Sequence, residues 1–285
     1  MGMKQILVMM AAVVLVGCSK DTPETSQAVE AEAQVIRAPS PERDPVSTVN
    51  EKLIADPIVL SAVHNSIEKH VGKLNEKDLE NVTDLKLIDT QITDAGLKDV
   101  AKLQNLLLID LSLTKITDKG LHEVAKLQNL TSLKLSKTKI TDEGLKEVAK
   151  LQNLEVLWLT ETKISGAGLE ELAKLHNLKF LAIPRTEITS SSLKELIKLQ
   201  KLERLTLSGD QITDAGLKEV SKIQNLTHLY LSNTQITDEG LKDMAKLQKL
   251  DYLNLYYTKI TAKITAEGVA ELEKALPNCF IDTSF

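Results

Sequence analysis

From Ile92 onward the apolar positions return on two periods that alternate along the chain. One unit reads LTSLKLSKTKITDEGLKEVAKLQN, Leu130 to Asn153. Leu133 and Leu135 are two apart, so both point to one side of a short strand while Lys134 points to the other. After Ile140 the period changes: Leu145, Val148 and Ala149 recur at i, i+3 and i+4, the stripe of a short helix that packs back on the strand layer. Asp142 and Glu143 at its start and Lys150 at its end suit the helix dipole, with Thr141 or Asp142 as the N-cap. The unit recurs with isoleucine at 92, 116, 140, 164, 188, 212 and 236, a period of 24 residues.

A unit this short cannot bury both of its faces alone. Neighbouring units must therefore stack into a curved solenoid, with parallel strands inside and helices outside. Thr90, Thr114, Thr138, Thr162, Thr186, Thr234 and Thr258 form a ladder, interrupted by Asp210. They are expected to hydrogen-bond turn groups between neighbouring coils, because buried backbone must be satisfied. The ends need caps. Asp56 followed by Pro57 is a helix start, and Ile58, Ala62, Val63 and Ile67 would make its apolar face. At the other end Pro277 breaks the register, and the duplicated ITAKITA at 260–266 adds four residues that should bulge as a loop.

The spacing L-x-x-L-x-L-x-x-T-x-I resembles the leucine-rich repeat, with threonine where asparagine is more usual. The repeated ITDAGL, ITDKGL and ITDEGL resemble bacterial leucine-rich-repeat proteins that are secreted or lipid-anchored. The fold implied is α/β: a leucine-rich-repeat solenoid, or horseshoe, with parallel β-strands on the concave face, short helices on the convex face and a helical N-terminal cap. The expected division is a signal peptide at 1–17, a lipidated cysteine and disordered tether at 18–49, the helical cap at 50–81, repeats at 82–263 and a capping repeat at 264–285.

Strand alternation also gives the outward positions of each coil, the two flanking the second leucine and the two before the threonine. Asp110, Ser112 and Ala182 are among them. So are Trp158, the single tryptophan, and all four tyrosines, Tyr230, Tyr252, Tyr256 and Tyr257, with Phe180. Eight coils with four such positions make about a ninth of the chain, yet hold six of its eight aromatic residues. Strand propensity is one reading. A binding surface is the other, since it alone accounts for the absence of rings from the first three coils. Tyr, Trp and Arg are the usual residues of interface hot spots. The candidate patch is Trp158, Phe180, Arg185 and Arg204, continued by His228, Tyr230, Tyr252, Tyr256 and Tyr257. The resemblance implies a protein or peptide ligand on this face; a glycan stacking on the rings is the alternative, and a passive envelope spacer a third reading.

Composition narrows the partners. A net charge of -5 with no basic stripe argues against nucleic acid. The apolar run Ile6 to Val16 behind one lysine is too short to span a bilayer and has the layout of a signal peptide. It ends in Leu15-Val16-Gly17-Cys18, which resembles the lipobox of bacterial lipoproteins. That implies cleavage before Cys18, lipid on this cysteine as the sole membrane attachment and, with Ser19 following, the outer membrane of the bacterial envelope. Residues 19–49 lack any apolar period and read as a disordered tether. Cys279 would then be the remaining thiol, inert at a position where the repeats carry a buried leucine.

Catalytic and metal chemistry find no constellation. The recurring Asp94, Asp118, Asp142, Asp214 and Asp238 supply one carboxylate per coil, too few for calcium, and read as helix caps. Gly166 and Gly168 lack the strand, turn and acidic partner of a dinucleotide site. His64, His70, His122 and His176 do not form a zinc set. The Asn81, Asn129 and Asn225 sequons are by-products of the repeat. No nucleophile stands with a matched base. The expectation is a non-enzymatic chain with no cofactor and no metal.

Overall fold

The computed structural model describes residues 53–69, 72–256, 258 and 264–283. The signal peptide, Cys18, the tether, His70, Tyr257 and most of the inserted loop lie outside the described residues. Among the described residues nine strands form one parallel sheet in chain order. These are β1 (Asp84–Lys86), β2 (Leu108–Asp110), β3 (Ser132–Lys134), β4 (Val156–Trp158), β5 (Phe180–Ala182), β6 (Arg204–Thr213), β7 (His228–Gln235), β8 (Tyr252–Asn254) and β9 (Phe280–Asp282). Each of the first eight returns through a short helical segment, for example Asp118–Val124, Asp142–Val148 and Asp238–Met244.

The leucine row explains the register. Leu85, Ile109, Leu133, Leu157, Leu181, Leu205, Leu229 and Leu253 are neighbours across the strands and all fully buried. Each contributes about 1.5–3 kcal/mol of burial. A slip of one residue would turn the whole row to solvent, so the alternation pins the pairing. The alternation does not make every outward residue accessible. Asp110, Ser112 and Ala182, expected outward, are buried: Asp110 accepts from the Ser112 N–H at 3.0 Å, and Ala182 is a small side chain set between Trp158 and Thr206.

Four residues past the leucine row the chain must turn sharply, and in the first seven coils the residue there takes a left-handed conformation. Asp89, Leu113, Lys137, Glu161, Arg185 and Asn233 all have φ between 55° and 60°, and Gly209 has φ 119°. Side chains other than glycine and asparagine tolerate this region poorly. The threonine that follows stabilises the turn. Thr114, Thr138 and Thr162 donate to the carbonyls of Leu111, Leu135 and Leu159 at 2.6–2.7 Å. The threonine ladder therefore closes turns within a coil, not between coils as its burial suggests: the left-handed residue folds the chain back, so the carbonyl three residues earlier is nearest.

Two other ladders join the coils. The Asp118 carboxylate accepts from the Thr141 N–H at 2.8 Å and the Thr141 hydroxyl at 2.7 Å. Asp94 holds Thr117 in the same way, Asp142 holds Ser165, Asp214 holds Thr237 and Asp238 holds Thr265. These aspartates were expected to cap their own helices. The N-cap position instead belongs to the threonine before Asp118, Asp142, Asp214 and Asp238, and to Gly96 in the coil of Asp94, leaving each carboxylate free to clasp the next coil. The glycine three residues after each clasped Thr or Ser is the space the carboxylate occupies: a Cβ on Gly144 would lie 2.3 Å from Asp118 Oδ1, and one on Gly168 would lie 2.4 Å from Asp142 Oδ1.

Two joints lack the aspartate: at one Ser190 replaces it and accepts from the Thr213 N–H at 2.9 Å, and the other lacks the clasp altogether. Gly166 stands where an aspartate belongs, and 26 residues on Ser192 stands where a glycine belongs; a Cβ on Gly166 would lie 2.8 Å from Ser192 Cβ. Thr189 turns its hydroxyl to Ser191 of its own coil, and the segment Ser190–Lys198 is a 3-10 helix.

The asparagine ladder is the second tie. Asn129, Asn153 and Asn177 donate from Nδ2 to the carbonyls of Gln104, Gln128 and Gln152 in the preceding coil at 2.9–3.0 Å. Asn153→Ala should lower the urea midpoint by the equivalent of about 0.5–1 kcal/mol at unchanged m, the net worth of one partly exposed hydrogen bond.

The N-terminal cap is a helix over Pro57–Ser66, with Asp56 accepting from the N–H groups of Ile58 and Val59. Its fully buried residues are Val59 and Val63; Ile58, Ala62 and Ile67, expected to form the face with Val63, are only partly buried. The stripe is thus rotated by one position. Asp99, 7% exposed, holds the cap by accepting from the N–H groups of Ala55 and Asp56, each at 2.7 Å.

Candidate functional site

The outward side of the sheet carries two groups of rings. Trp158 and Phe180 sit on adjacent strands with centroids 4.6 Å apart. They line a depression of about 350 Å³ together with Val156, Lys179, Glu203 and Arg204. The second group centres on Tyr252, whose ring lies 5.3 Å from Tyr230, 6.0 Å from His228 and 5.9 Å from Phe280, the last pair stacked at 18°. Register explains the grouping: Phe180, Arg204, His228, Tyr252 and Phe280 are successive partners across β5 to β9.

Phe280 was not among the outward residues read from sequence, yet it is 66% exposed and part of the second group. The signal lies in the last turn, where Leu276, Cys279 and Ile281 repeat the Leu247, Leu250, Leu253 spacing with one residue fewer. The Cys279 N–H donates to the Leu276 carbonyl as Leu250 does to Leu247, so Cys279 does take the leucine position, though it is only half-buried. Burial, with Asp251 adding to it, pushes its thiol up to about 11, which suppresses the thiolate at neutral pH.

A polar network fixes the second group. The Tyr252 hydroxyl donates to Asp282 Oδ2 at 3.1 Å; Asn254 Nδ2 reaches the same carboxylate oxygen at 3.2 Å and the Tyr252 oxygen at 3.3 Å. Burial raises the Tyr252 phenol above its ordinary value, with Asp282 adding to the rise and Asn254 opposing it. Burial, and then the nearby Arg204 charge, hold His228 below the ordinary imidazole value, so it is neutral at pH 7. The rings themselves are thus uncharged and pre-ordered around the Asp282 carboxylate.

The remaining candidates are dispersed. Arg185 lies in a turn after β5, where its guanidinium holds Glu161 at 2.7 Å and keeps that carboxyl below its usual range. Tyr256 follows β8, half-exposed, its N–H donating to Asn254 Oδ1 at 3.1 Å. Tyr257 lies outside the described residues. No group of three or more His, Cys, Asp or Glu among the described residues could hold a metal ion, and none of their helices is long and apolar enough to cross a membrane.

A family model described as Leucine Rich repeat matches residues 102–125 and 126–149, and one described as Leucine Rich repeats (2 copies) matches residues 224–266. No curated protein matches the chain. Among solved structures, internalin C2 of Listeria monocytogenes is 26% identical with a TM-score of 0.62, covering 82% of this chain and 95% of its own. A leucine-rich-repeat protein of Leptospira interrogans is 25% identical with a TM-score of 0.54, over 73% of this chain and 51% of that one. An internalin F of Listeria monocytogenes, 20% identical with a TM-score of 0.53 over 83% and 78%, shares the fold. The chain carries leucine-rich repeats, and its nine-stranded parallel sheet with alternating short helices is a leucine-rich-repeat solenoid.

Proposed function

We propose that this chain is a non-catalytic binding module that takes a protein or peptide ligand on the β4 to β9 part of its sheet. Leucine-rich repeats are in general protein-interaction modules. The observation that carries the reading is the pair of ring groups, Trp158 with Phe180 and Tyr252 with Tyr230, His228 and Phe280, on one side of the sheet. Large rigid side chains that lose little entropy on contact suit a ligand-binding face. Lipid on Cys18 would hold the module at the bacterial envelope, in the outer membrane, as the lipobox resemblance implies.

Trp158 is the sole tryptophan and sits in the patch, so its fluorescence reports occupancy directly. Titration with peptides released from envelope proteins should shift its emission, and Tyr230→Ala with Tyr252→Ala should weaken the response at least tenfold, about 1.4 kcal/mol. Response to glycan fragments alone would favour the carbohydrate alternative. Equal behaviour of wild type and variant would leave only a spacer. For the anchor, Cys18→Ala should abolish incorporation of a fatty-acid probe.

A further inference from the structure

The two described cations nearest Arg204 on the outward side of the sheet, Lys179 and Arg185, are each matched to a carboxylate. Lys179 Nζ lies 2.9 Å from Glu155 Oε2 and Arg185 Nη1 2.7 Å from Glu161 Oε1. Toward β3, Lys134 faces Asp110 and Lys137 faces Glu161, each at 3.6 Å. Arg204 is exposed and makes no ion pair among the described residues. Its chain neighbour Glu203 lines the same depression without forming an ion pair with Arg204, and helps, after Glu155, to hold the Lys179 ammonium charged.

The position of Arg204 is as informative as its freedom. It is the register partner of Phe180 on one side and of His228 on the other. One wall of the depression is the Trp158 and Phe180 ring pair, and another is the guanidinium. Beyond neutral His228 lie Tyr252 and Phe280. Strands are about 4.8 Å apart, so the run from Phe180 to Phe280 spans about 19 Å, the length of about six extended residues at about 3.3 Å each. A guanidinium between two apolar surfaces matches a planar carboxylate by paired hydrogen bonds, which a lysine would not.

We propose that this face takes an extended peptide of about six residues crossing the strands, in which one acidic side chain pairs with Arg204. Flanking apolar or aromatic side chains, one on each side of the acid, seat on Trp158 with Phe180 and on Tyr252 with Phe280. The proposal rests on the peptide-binding reading above and narrows it to acidic, ring-flanked segments.

Panning random phage-displayed dodecapeptides on the full-length protein tests it. Recovered clones should share one Asp or Glu with apolar or aromatic residues on both sides, and parallel panning on Arg204→Glu should replace the acid by Lys or Arg. A synthetic peptide of the best clone, titrated by Trp158 fluorescence, should lose at least tenfold in affinity on Arg204→Ala. Changing its acid to the amide should cost as much, and should cost nothing more on Arg204→Ala. Because Arg204 is exposed, Arg204→Ala should leave the melting temperature unmoved. Ring-dependent clones without an acid overturn this inference and leave the broader reading standing. No clones above those on a Tyr230→Ala, Tyr252→Ala background, or a Trp158 response to oligogalacturonate and to no peptide, overturn both.

Discussion

Replacing Gly144 with serine should lower stability by about 2–3 kcal/mol, and adding Asp118→Gly, itself costing about 2 kcal/mol, should then cost nothing further. The first loss arises because a Cβ at 144 would meet Asp118 Oδ1 at 2.3 Å and Leu121 Cδ1 at 2.9 Å. The carboxylate cannot simply swing away: it holds the Thr141 N–H and hydroxyl, and both bonds are lost if it moves. The second loss is those same bonds, removed directly. Together the two changes rebuild the arrangement that the chain already uses at Gly166 and Ser192, where the serine side chain fills the room an aspartate vacates. Urea unfolding of wild type, both singles and the double gives the coupling. Strictly additive losses would show that the glycine is retained for some reason other than the clasp.

The other large effect is expected at Asp99. Asp99→Ala removes the acceptor of two backbone N–H groups, those of Ala55 and Asp56, and of Lys102 Nζ at 2.5 Å. Lys102 also donates to the Leu53 carbonyl at 2.7 Å, so the whole entry to the cap helix depends on this one carboxylate. Leaving two partly buried donors unmet should cost about 2–4 kcal/mol. Exchange of the Val59 and Val63 amides should accelerate more than that of the central strands, because only the cap is released. The pH dependence follows from the same bonds. Burial alone would raise the Asp99 pKa, but the Lys102, Asp56 and Ala55 hydrogen bonds override it and bring the group below its ordinary 3.8. A folded pKa below the unfolded one stabilises fully above about pH 4 and is lost as pH falls through the lower folded value. Wild type and Asp99→Asn should therefore differ most at neutral pH and converge below pH 3.8. A gap that persists unchanged into acid would mean that Asp99 acts through packing.

Much of this architecture is written in the leucines. Leu133 and Leu135, two apart in every coil, set the face, register and direction of the sheet, and the change of period after Ile140 sets the return helix. The polar ladders were legible as recurrences but not as partnerships. Thr138 donates inside its own coil because Lys137 adopts a left-handed backbone, and nothing about lysine announces that. Asp118 reads as a helix cap because its contact is with Thr141, a coil away, and the accompanying Gly144 looks like an ordinary repeat glycine until the carboxylate is seen above it. Phe280 escaped because one residue is missing from the spacer before β9, which the backbone absorbs without losing the pairing of Leu253 with Ile281. The candidate surface was legible in kind, through its concentration of rings, while the separation of Arg185 from Arg204 depended on where a single carboxylate, Glu161, happens to lie.

The clasp also sets a grammar for growing the molecule. Each ordinary coil offers an aspartate forward and receives one over its own glycine, so a copied block of 24 residues can be spliced between any two such coils and find a plug on one side and a socket on the other. Only the seam at Gly166 and Ser192 refuses a standard insert, for there a block would meet an empty socket on one flank and a filled one on the other. Lengthening by duplication is therefore open along both arms of the array and closed at one point between them.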